Sequence, residues 1–232
     1  MREIIFDTET TGFDPLTGDR MVEIGCIEMI GRVMTGVTYH AYFNPQRPMP
    51  AAAEQVHGLS DRFLSDKPLF AQKASELLEF LGDSPLVAHN AGFDFGFLNK
   101  ELEHCGHPPV SLGRMVDTVA LARVKHPGAK LSLDALCTRY GIDRSHRVKH
   151  GALLDAELLA QLYIELTGGR QIGLSLADSS GAFAQTQIIS ASITRVYREP
   201  RAHAASDAEL ARHAAFIAQI KDALWLEPES AL

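Results

Sequence analysis

Four carboxylates and one histidine occupy positions that a folding chain normally gives to apolar or solvated residues. Asp7 and Glu9 are two apart in the run from Glu3 to Glu9 (EIIFDTE). Side chains alternate along a strand, so Ile5, Asp7 and Glu9 share one face while Ile4, Phe6 and Thr8 take the other. The apolar flanks predict burial on both faces. Asp94 is followed at +3, +4 and +8 by Phe97, Leu98 and Leu102, which puts it on the apolar stripe of a helix. Asp155 has Leu158, Leu159, Leu162 and Leu166 at +3, +4, +7 and +11 and also faces inward. Each acid taken singly reads equally well as a cap or turn residue. Four inward carboxylates brought together are opposed by desolvation and mutual repulsion. Divalent cations relieve both, and an all-oxygen ligand set favours Mg²⁺ or Mn²⁺.

His150 lies five residues before Asp155, about 140° away around a regular helix, so the two cannot project together from one helix. Gly151 and the polar stretch 144–149 place His150 in the loop entering that helix. A histidine that titrates near neutrality beside an acid-bound cation is suited to be a general base.

These groups need a framework. The chain has 232 residues, 46% of them hydrophobic and 22% charged. That is enough for one sizeable core with an appendage, and it excludes general disorder. The net charge is −7, so a bulk positive field does not draw polyanions to this surface. A phosphate-bearing partner then requires the acids to act through bound cations. Three widely spaced cysteines, Cys26, Cys105 and Cys137, argue against a disulfide framework and for a reducing, cytoplasmic setting. No apolar run reaches the roughly 20 residues of a membrane span. The first residues meet an acid too early for a signal peptide.

Strand-like runs cover 3–9, 21–30 and 33–43, the last two joined at Gly31-Arg32 as a hairpin. A Pro-rich loop at 44–50 leads to a helical stretch at 51–56, and an amphipathic helix covers 73–81 before Gly82. A short buried strand is expected at 85–88, followed by a helix from Ala91 to about Cys105 with Asn90 as its cap. A strand-to-helix region at 114–121 and a short helix at 132–139 come next. The clearest helix is 152–166, closed by Gly168-Gly169. Beyond it, 168–184 has the Gly, Ser and Ala content of a tether. Residues 187–197 alternate weakly. An amphipathic helix is expected over 207–226, with Leu210, Ala214, Ile217, Ile220 and Leu224 on one side. About 45 residues is too little for an independent core of any size.

Taken in order, Asp7-Thr8-Glu9-Thr10-Thr11-Gly12, His89-Asn90-Ala91-Gly92-Phe93-Asp94 and His150-Gly151-Ala152-Leu153-Leu154-Asp155 resemble the three motifs of the DEDDh 3′→5′ exonucleases. Among these, the chain is similar to the proofreading exonucleases of bacterial replicative polymerases. The resemblance covers about residues 3–169, including Val56-His57-Gly58-Leu59 and Ser132-Leu133-Asp134-Ala135-Leu136-Cys137. It implies a ribonuclease-H-like α/β fold, with a mixed five-stranded sheet flanked by helices and a flexible C-terminal tail. It also implies hydrolysis of the 3′-terminal phosphodiester of a single-stranded or frayed DNA end, with release of nucleoside 5′-monophosphates and two Mg²⁺ or Mn²⁺ ions per site.

By matching position, Asp7, Glu9 and Asp155 would hold one metal, Asp7 would bridge to the second, and Asp94 would assist. His150 would deprotonate the attacking water. Substrate would be met by Asp7, Glu9 and Asp155, with His57 against the terminal nucleotide. The glutamate that the family often has five residues before that histidine is Ala52 here, and Glu54 is the nearest acid. Arg139, Arg144, Arg147 and Lys149 form a basic stretch near His150, either a substrate contact or a solvated loop.

The resemblance divides the chain into a nuclease domain (1–169), a tether (170–186) and a polymerase-binding segment (187–232). In the tether, Gln171, Leu174 and Leu176 are similar to a sliding-clamp-binding peptide, in which a glutamine precedes apolar anchors. Phe216, Ile217, Ile220, Leu224 and Trp225 would supply the apolar contacts to the polymerase subunit. A small accessory subunit is also compatible with the family. Two other readings are a free-standing DEDDh nuclease in RNA turnover or DNA repair, and a catalytically silent scaffold. The scaffold is disfavoured because all five catalytic residues are present. Zinc at His104-Cys105-Gly106-His107 lacks a second ligand pair.

Overall fold

The computed structural model describes residues 1–145, 147, 149–169 and 204–221. Those up to 169 belong to one unit and those from 204 to a second. In the first unit, strands β1 (Arg2–Thr10), β2 (Met21–Ile30), β3 (Val33–Tyr42), β4 (Leu86–Ala88) and β5 (Met115–Asp117) form one sheet in the order β3-β2-β1-β4-β5. The first three pair antiparallel, while β4 and β5 run parallel to β1. The sheet is therefore mixed, as expected. The hairpin turns at Gly31 and Arg32, both at positive φ (58° and 67°). That backbone matches the right-handed twist of the flanking strands.

Alternation along β1 feeds two cores. Ile4 and Phe6 pack with Phe95, Phe97, Leu98 and Leu77 from helices α3 (Phe70–Leu81) and α4 (Gly92–His104). Ile5 packs with Val87, Leu159 and Leu162, the last two from α7 (Ala152–Leu166), and with Ala122 and Leu136. Those two residues belong to α5 (Thr118–Lys125) and α6 (Leu133–Tyr140). Two short helices, α1 (Ala51–His57) and α2 (Asp61–Leu64), follow the hairpin.

Helix α7 lies unusually close to the sheet because Gly25 of β2 has no side chain. A Cβ there would sit 2.3 Å from the Leu153 nitrogen. Gly25 is also the cross-strand partner of Asp7, so the same bare patch of sheet seats the helix that carries Asp155.

Two local expectations are corrected, and one helix was not expected. Asn90 does not cap α4. It adopts a left-handed backbone (φ 63°), the helix begins at Gly92, and no side chain caps it. Asp117 instead accepts hydrogen bonds from the Asn90 and Ala91 amides (3.0 and 3.4 Å) and from Val119 (2.9 Å), holding the turn and capping α5 together. Helix α3 starts three residues earlier than its periodicity suggests, because the Leu69 amide donates to the Gln72 side chain. Helix α2, capped by Ser60, is too short for periodicity to reveal.

The second unit is described over 204–221, where α8 (Asp207–Ile217) starts at a reciprocal Ser206–Glu209 cap and gives way to a turn at 218–221, short of the expected 226. Leu210 and Phe216 are exposed on it. The tether, the clamp-like Gln171, Leu174 and Leu176, the alternation at 187–197, and Leu224 and Trp225 lie outside the described residues. Among the described residues, no helix is long and apolar enough to cross a membrane.

Candidate active site

The carboxyl ends of β1 and β4 open into a cleft of about 270 Å³ lined by Asp7, Glu9, Asp94, His150 and Asp155, together with Thr8, His89 and Arg147. All five residues singled out by spacing therefore meet. Asp7 and Glu9 come from the end of β1 and Asp94 from the first turn of α4. Asp155 comes from the first turn of α7, and His150 from the loop just before it. Glu9, Asp94 and Asp155 are buried and Asp7 is partly so, while His150 keeps about 47% of its side chain exposed.

Two of the acids, Asp94 and Asp155, are held by specific side chains. The Thr8 hydroxyl donates to Asp94 Oδ1 at 2.7 Å. Asp155 is gripped by the Arg147 guanidinium, with Nε on Oδ1 at 2.5 Å and an Nη on Oδ2 at 2.6 Å, and the His150 Nδ1 lies 3.1 Å from Oδ2. The His150 amide donates to the Val56 carbonyl at 3.3 Å, tying the loop to α1. His89, partly buried in the cleft lining, bridges the Thr118 hydroxyl (2.9 Å) and the Leu131 carbonyl (2.8 Å).

The electrostatics are those of crowded acids. Burial raises the Asp7 pKa well above the carboxylate range, and the charges of Asp94, Glu9 and Asp155 raise it further, against the opposing pull of Arg147. Glu9 is pushed up to about 8, first by burial and then by Asp155 and Glu23. Burial also raises Asp94, although its hydrogen bond from Thr8 works against this. Burial lowers the Arg147 pKa, but Asp155, Asp134 and Asp7 outweigh it and leave the guanidinium above its usual value.

A cation suits this arrangement. Glu9 Oε1 is buried without a hydrogen-bond partner, and the carboxylate donors are the hard oxygens that Mg²⁺ and Mn²⁺ take. Among the described residues, the one group whose metal-capable atoms all lie within 4.8 Å of one another is Glu9, His150 and Asp155. Asp7 and Asp94 line the same cleft outside that set.

Beside the acids is a second cavity of about 580 Å³, sharing Thr8, Glu9 and Phe93 with the cleft and lined also by Phe13, Ala52, Val56 and His57. His57 ends α1. Its Nδ1 accepts from the Leu59 amide at 3.0 Å and its Nε2 is buried without a partner. Burial lowers its pKa, and the nearby Thr10 carbonyl offsets part of that. Ala52 lines this cavity and Glu54 does not; the acids that line it are Glu9, Asp14 and Asp19.

The basic stretch is divided. Arg144 is ion-paired to Asp134 (2.9 Å). Together with Lys149, His150, Arg147 and Asp134 it lines a shallow depression of about 260 Å³. Arg147 is only 8% exposed and points into the acids, not out to solvent. Sequence reasoning placed it on a loop and had no periodic signal for its direction. It also missed Asp117, Gly25 and the buried Glu23, which faces Glu9 across β1 and β2 and is paired with His40 at 2.7 Å. For Glu23 the signal was available: an acid set between Val22 and Ile24 in a largely apolar strand.

Comparison with known proteins agrees with this geometry. The sequence model of the exonuclease family, RNase_T, matches residues 4–163. The DNA polymerase III subunit epsilon of Rickettsia felis is 52% identical over 183 residues, covering 78% of this chain and 80% of the relative. That of Escherichia coli K12 is 41% identical over 224 residues, covering 92% and 91%. Exonuclease X, solved with 5′-overhanging duplex DNA, superposes with a TM-score of 0.56 at 26% identity, over 71% of this chain and 90% of the other. Escherichia coli exonuclease I, solved with a dT13 oligonucleotide, gives 0.64 at 16% identity, over 72% and 41%, and shares the fold. With its acids converging in a family-matched cleft and its relatives aligned over most of both chains, this chain belongs to the exonuclease family and, within it, to the DNA polymerase III epsilon subunits.

Proposed function

We propose that the chain is a proofreading 3′→5′ exonuclease subunit of a replicative DNA polymerase. On this reading it works in the cytoplasm on single-stranded or frayed 3′ DNA ends and releases nucleoside 5′-monophosphates. The observation that carries the reading is the meeting of Asp7, Glu9, Asp94 and Asp155 in one cleft, where a buried Glu9 oxygen lacks a partner.

Asp7, Glu9 and Asp155 would hold Mg²⁺ or Mn²⁺, with Asp7 shared between two ions and Asp94 assisting. When bound, paired cations supply positive charge to the attacking and leaving oxygens of the phosphodiester. The chain's own residues do the rest. His150 takes the proton of the attacking water at Nε2 when its Nδ1–H donates to Asp155. The cavity around His57 receives the terminal nucleotide, with Phe93 and Phe13 as apolar surface for the base and His57 Nε2 free to bond it. Thr8 keeps Asp94 oriented, and the Asp117-anchored turn fixes the start of α4.

Domain roles follow the same reading: a nuclease over 1–169, a tether over 170–186 in which Gln171, Leu174 and Leu176 engage the sliding clamp, and a segment over 187–232 that binds the polymerase alpha subunit. Tethering raises the local concentration of nuclease at the primer end. A small accessory subunit fits the same assembly.

Digestion of a 3′-mismatched primer, with and without Mg²⁺ and with and without the polymerase subunit, tests the reading. Cleavage should require the metal and favour the mismatched end. Faster turnover of short RNA would point instead to a free-standing nuclease. Removing residues 186–232 should abolish polymerase binding and leave hydrolysis of single-stranded DNA intact. Unchanged affinity of the truncated chain would overturn the assignment of that segment.

A further inference from the structure

We propose that Arg147 is an exchangeable counter-ion of the acidic cleft, neutralising Asp155 before divalent cations bind and giving way to them while keeping its bond to Asp134. The inference rests on the metal-binding reading above and adds to it how the site is kept tolerable until the metal arrives.

The geometry leaves little choice. Arg147 covers both oxygens of Asp155, at 2.5 and 2.6 Å. A fork of this kind occupies the carboxylate edge from which a cation would be held. Asp155 cannot serve both at once. The remaining Nη of Arg147 already bonds Asp134 Oδ1 at 2.6 Å, and Asp134 is about half exposed in the depression beside the cleft. One contact therefore persists as a pivot while the other two are released. Arg144, also on Asp134, is 43% exposed and has no bond to Asp155 among those described.

The exchange also bears on His150. Its Nδ1 lies 2.7 Å from an Arg147 Nη and 3.1 Å from Asp155 Oδ2. One ring nitrogen cannot accept from a guanidinium and donate to a carboxylate together. While Arg147 is in place, it competes for Nδ1. Its departure lets Nδ1–H face Asp155 and leaves Nε2 as the proton acceptor. The metal-free chain would thus hold its base in the wrong tautomer, and cation binding would correct it.

Two ligands excluding each other from one carboxylate carry a coupling free energy, so removing Arg147 must strengthen cation binding. Mn²⁺ titrations by calorimetry on the full-length chain read this without any turnover. The expectation is a gain of at least about fivefold in Mn²⁺ affinity for Arg147→Gln, a smaller gain for Arg147→Lys, which keeps the charge but loses the fork, and no change for Arg144→Gln. In the unaltered chain, the Arg147 Nε–H resonance should be sharp and protected without metal, and should lose that protection on adding diamagnetic Mg²⁺.

Equal or weaker Mn²⁺ affinity in Arg147→Gln overturns the proposal. So does a gain in Arg144→Gln matching that of Arg147→Gln, which would mean a general field effect and not exchange. If Arg147→Gln does not fold, the Mg²⁺ titration of the Nε–H resonance decides alone, and persistence of its protection at saturating Mg²⁺ overturns the proposal. Failure of the unaltered chain to bind Mn²⁺ at all would instead strike the metal-binding reading itself.

Discussion

Asp7, Glu9, Asp94 and Asp155 are mounted on a strand end and two helix starts that form part of the hydrophobic core, whereas Arg147 and His150 hang from the stretch between α6 and α7. The first group is locked by burial. Displacing Asp7 means displacing Phe6, and displacing Asp155 means lifting Leu159 off the sheet. The second group is held by side-chain contacts and two backbone bonds, His150 to Val56 and Arg147 to Arg144. Groups that must keep a fixed charge geometry are built into rigid elements, and groups that must move protons or change partners are placed on a loop. Substitutions in both regions should therefore cost rate without stability, and differ in how far the rate falls and in its pH dependence.

Substitution in the rigid set should have the largest effect. Asp7→Ala is expected to lower metal-dependent mononucleotide release by at least about a thousandfold, or ~4 kcal/mol of barrier. Its metal-free melting temperature should rise or stay level, because a raised-pKa acid is removed from a crowded site. Full activity in this variant would break the assignment of the acids as ligands.

In the loop set, His150→Ala should cost about a hundredfold or more in rate while leaving the fold unchanged by circular dichroism and melting. The rise in rate through neutral pH should flatten with it. A variant that kept the parent pH–rate curve would show that the base lies elsewhere.

Gly25→Ala tests whether the close seat of α7 matters. A Cβ 2.3 Å from the Leu153 nitrogen forces the helix outward, at about 1–3 kcal/mol of stability. Because Asp155 travels with α7, activity should fall further than stability alone predicts. A melting shift with unchanged turnover would show that the seat serves the fold only.

The smallest effect expected is on stability against pH. Glu9 is held at about 8 in the fold against 4.5 ordinarily, by burial first and then by Asp155 and Glu23, and Asp94 is raised by burial too. A folded pKa above the unfolded value favours folding fully below the unfolded pKa and is lost as pH rises through the folded one. Without metal, Tm should fall between about pH 5 and 8, by about 2–4 °C for each kcal/mol lost at this size. Saturating Mn²⁺ should reverse the trend. A metal-free Tm that climbed over that interval would contradict the crowding.

Much of the arrangement could be read from residue order. Alternation in β1 put Asp7 and Glu9 on the face of Ile5, and that face meets α7. The leucines after Asp155 and the apolar residues after Asp94 turned both acids inward, and both are buried. These are local facts, because the strand and helix periods are fixed by backbone geometry and depend on nothing distant. The hairpin at Gly31-Arg32 was legible for the same reason. Asn90 was misjudged because its type suits a cap and a left-handed turn equally, and the choice is made by Asp117, which is 27 residues away. The inward reach of Arg147 depends on Asp155 and Asp134 arriving from different helices, and a loop has no period from which a direction can be inferred. Residue type and spacing determined which acids go inside. How closely they gather, what stands among them, and how near α7 approaches Gly25 are long-range contacts, and only the closed fold decided them.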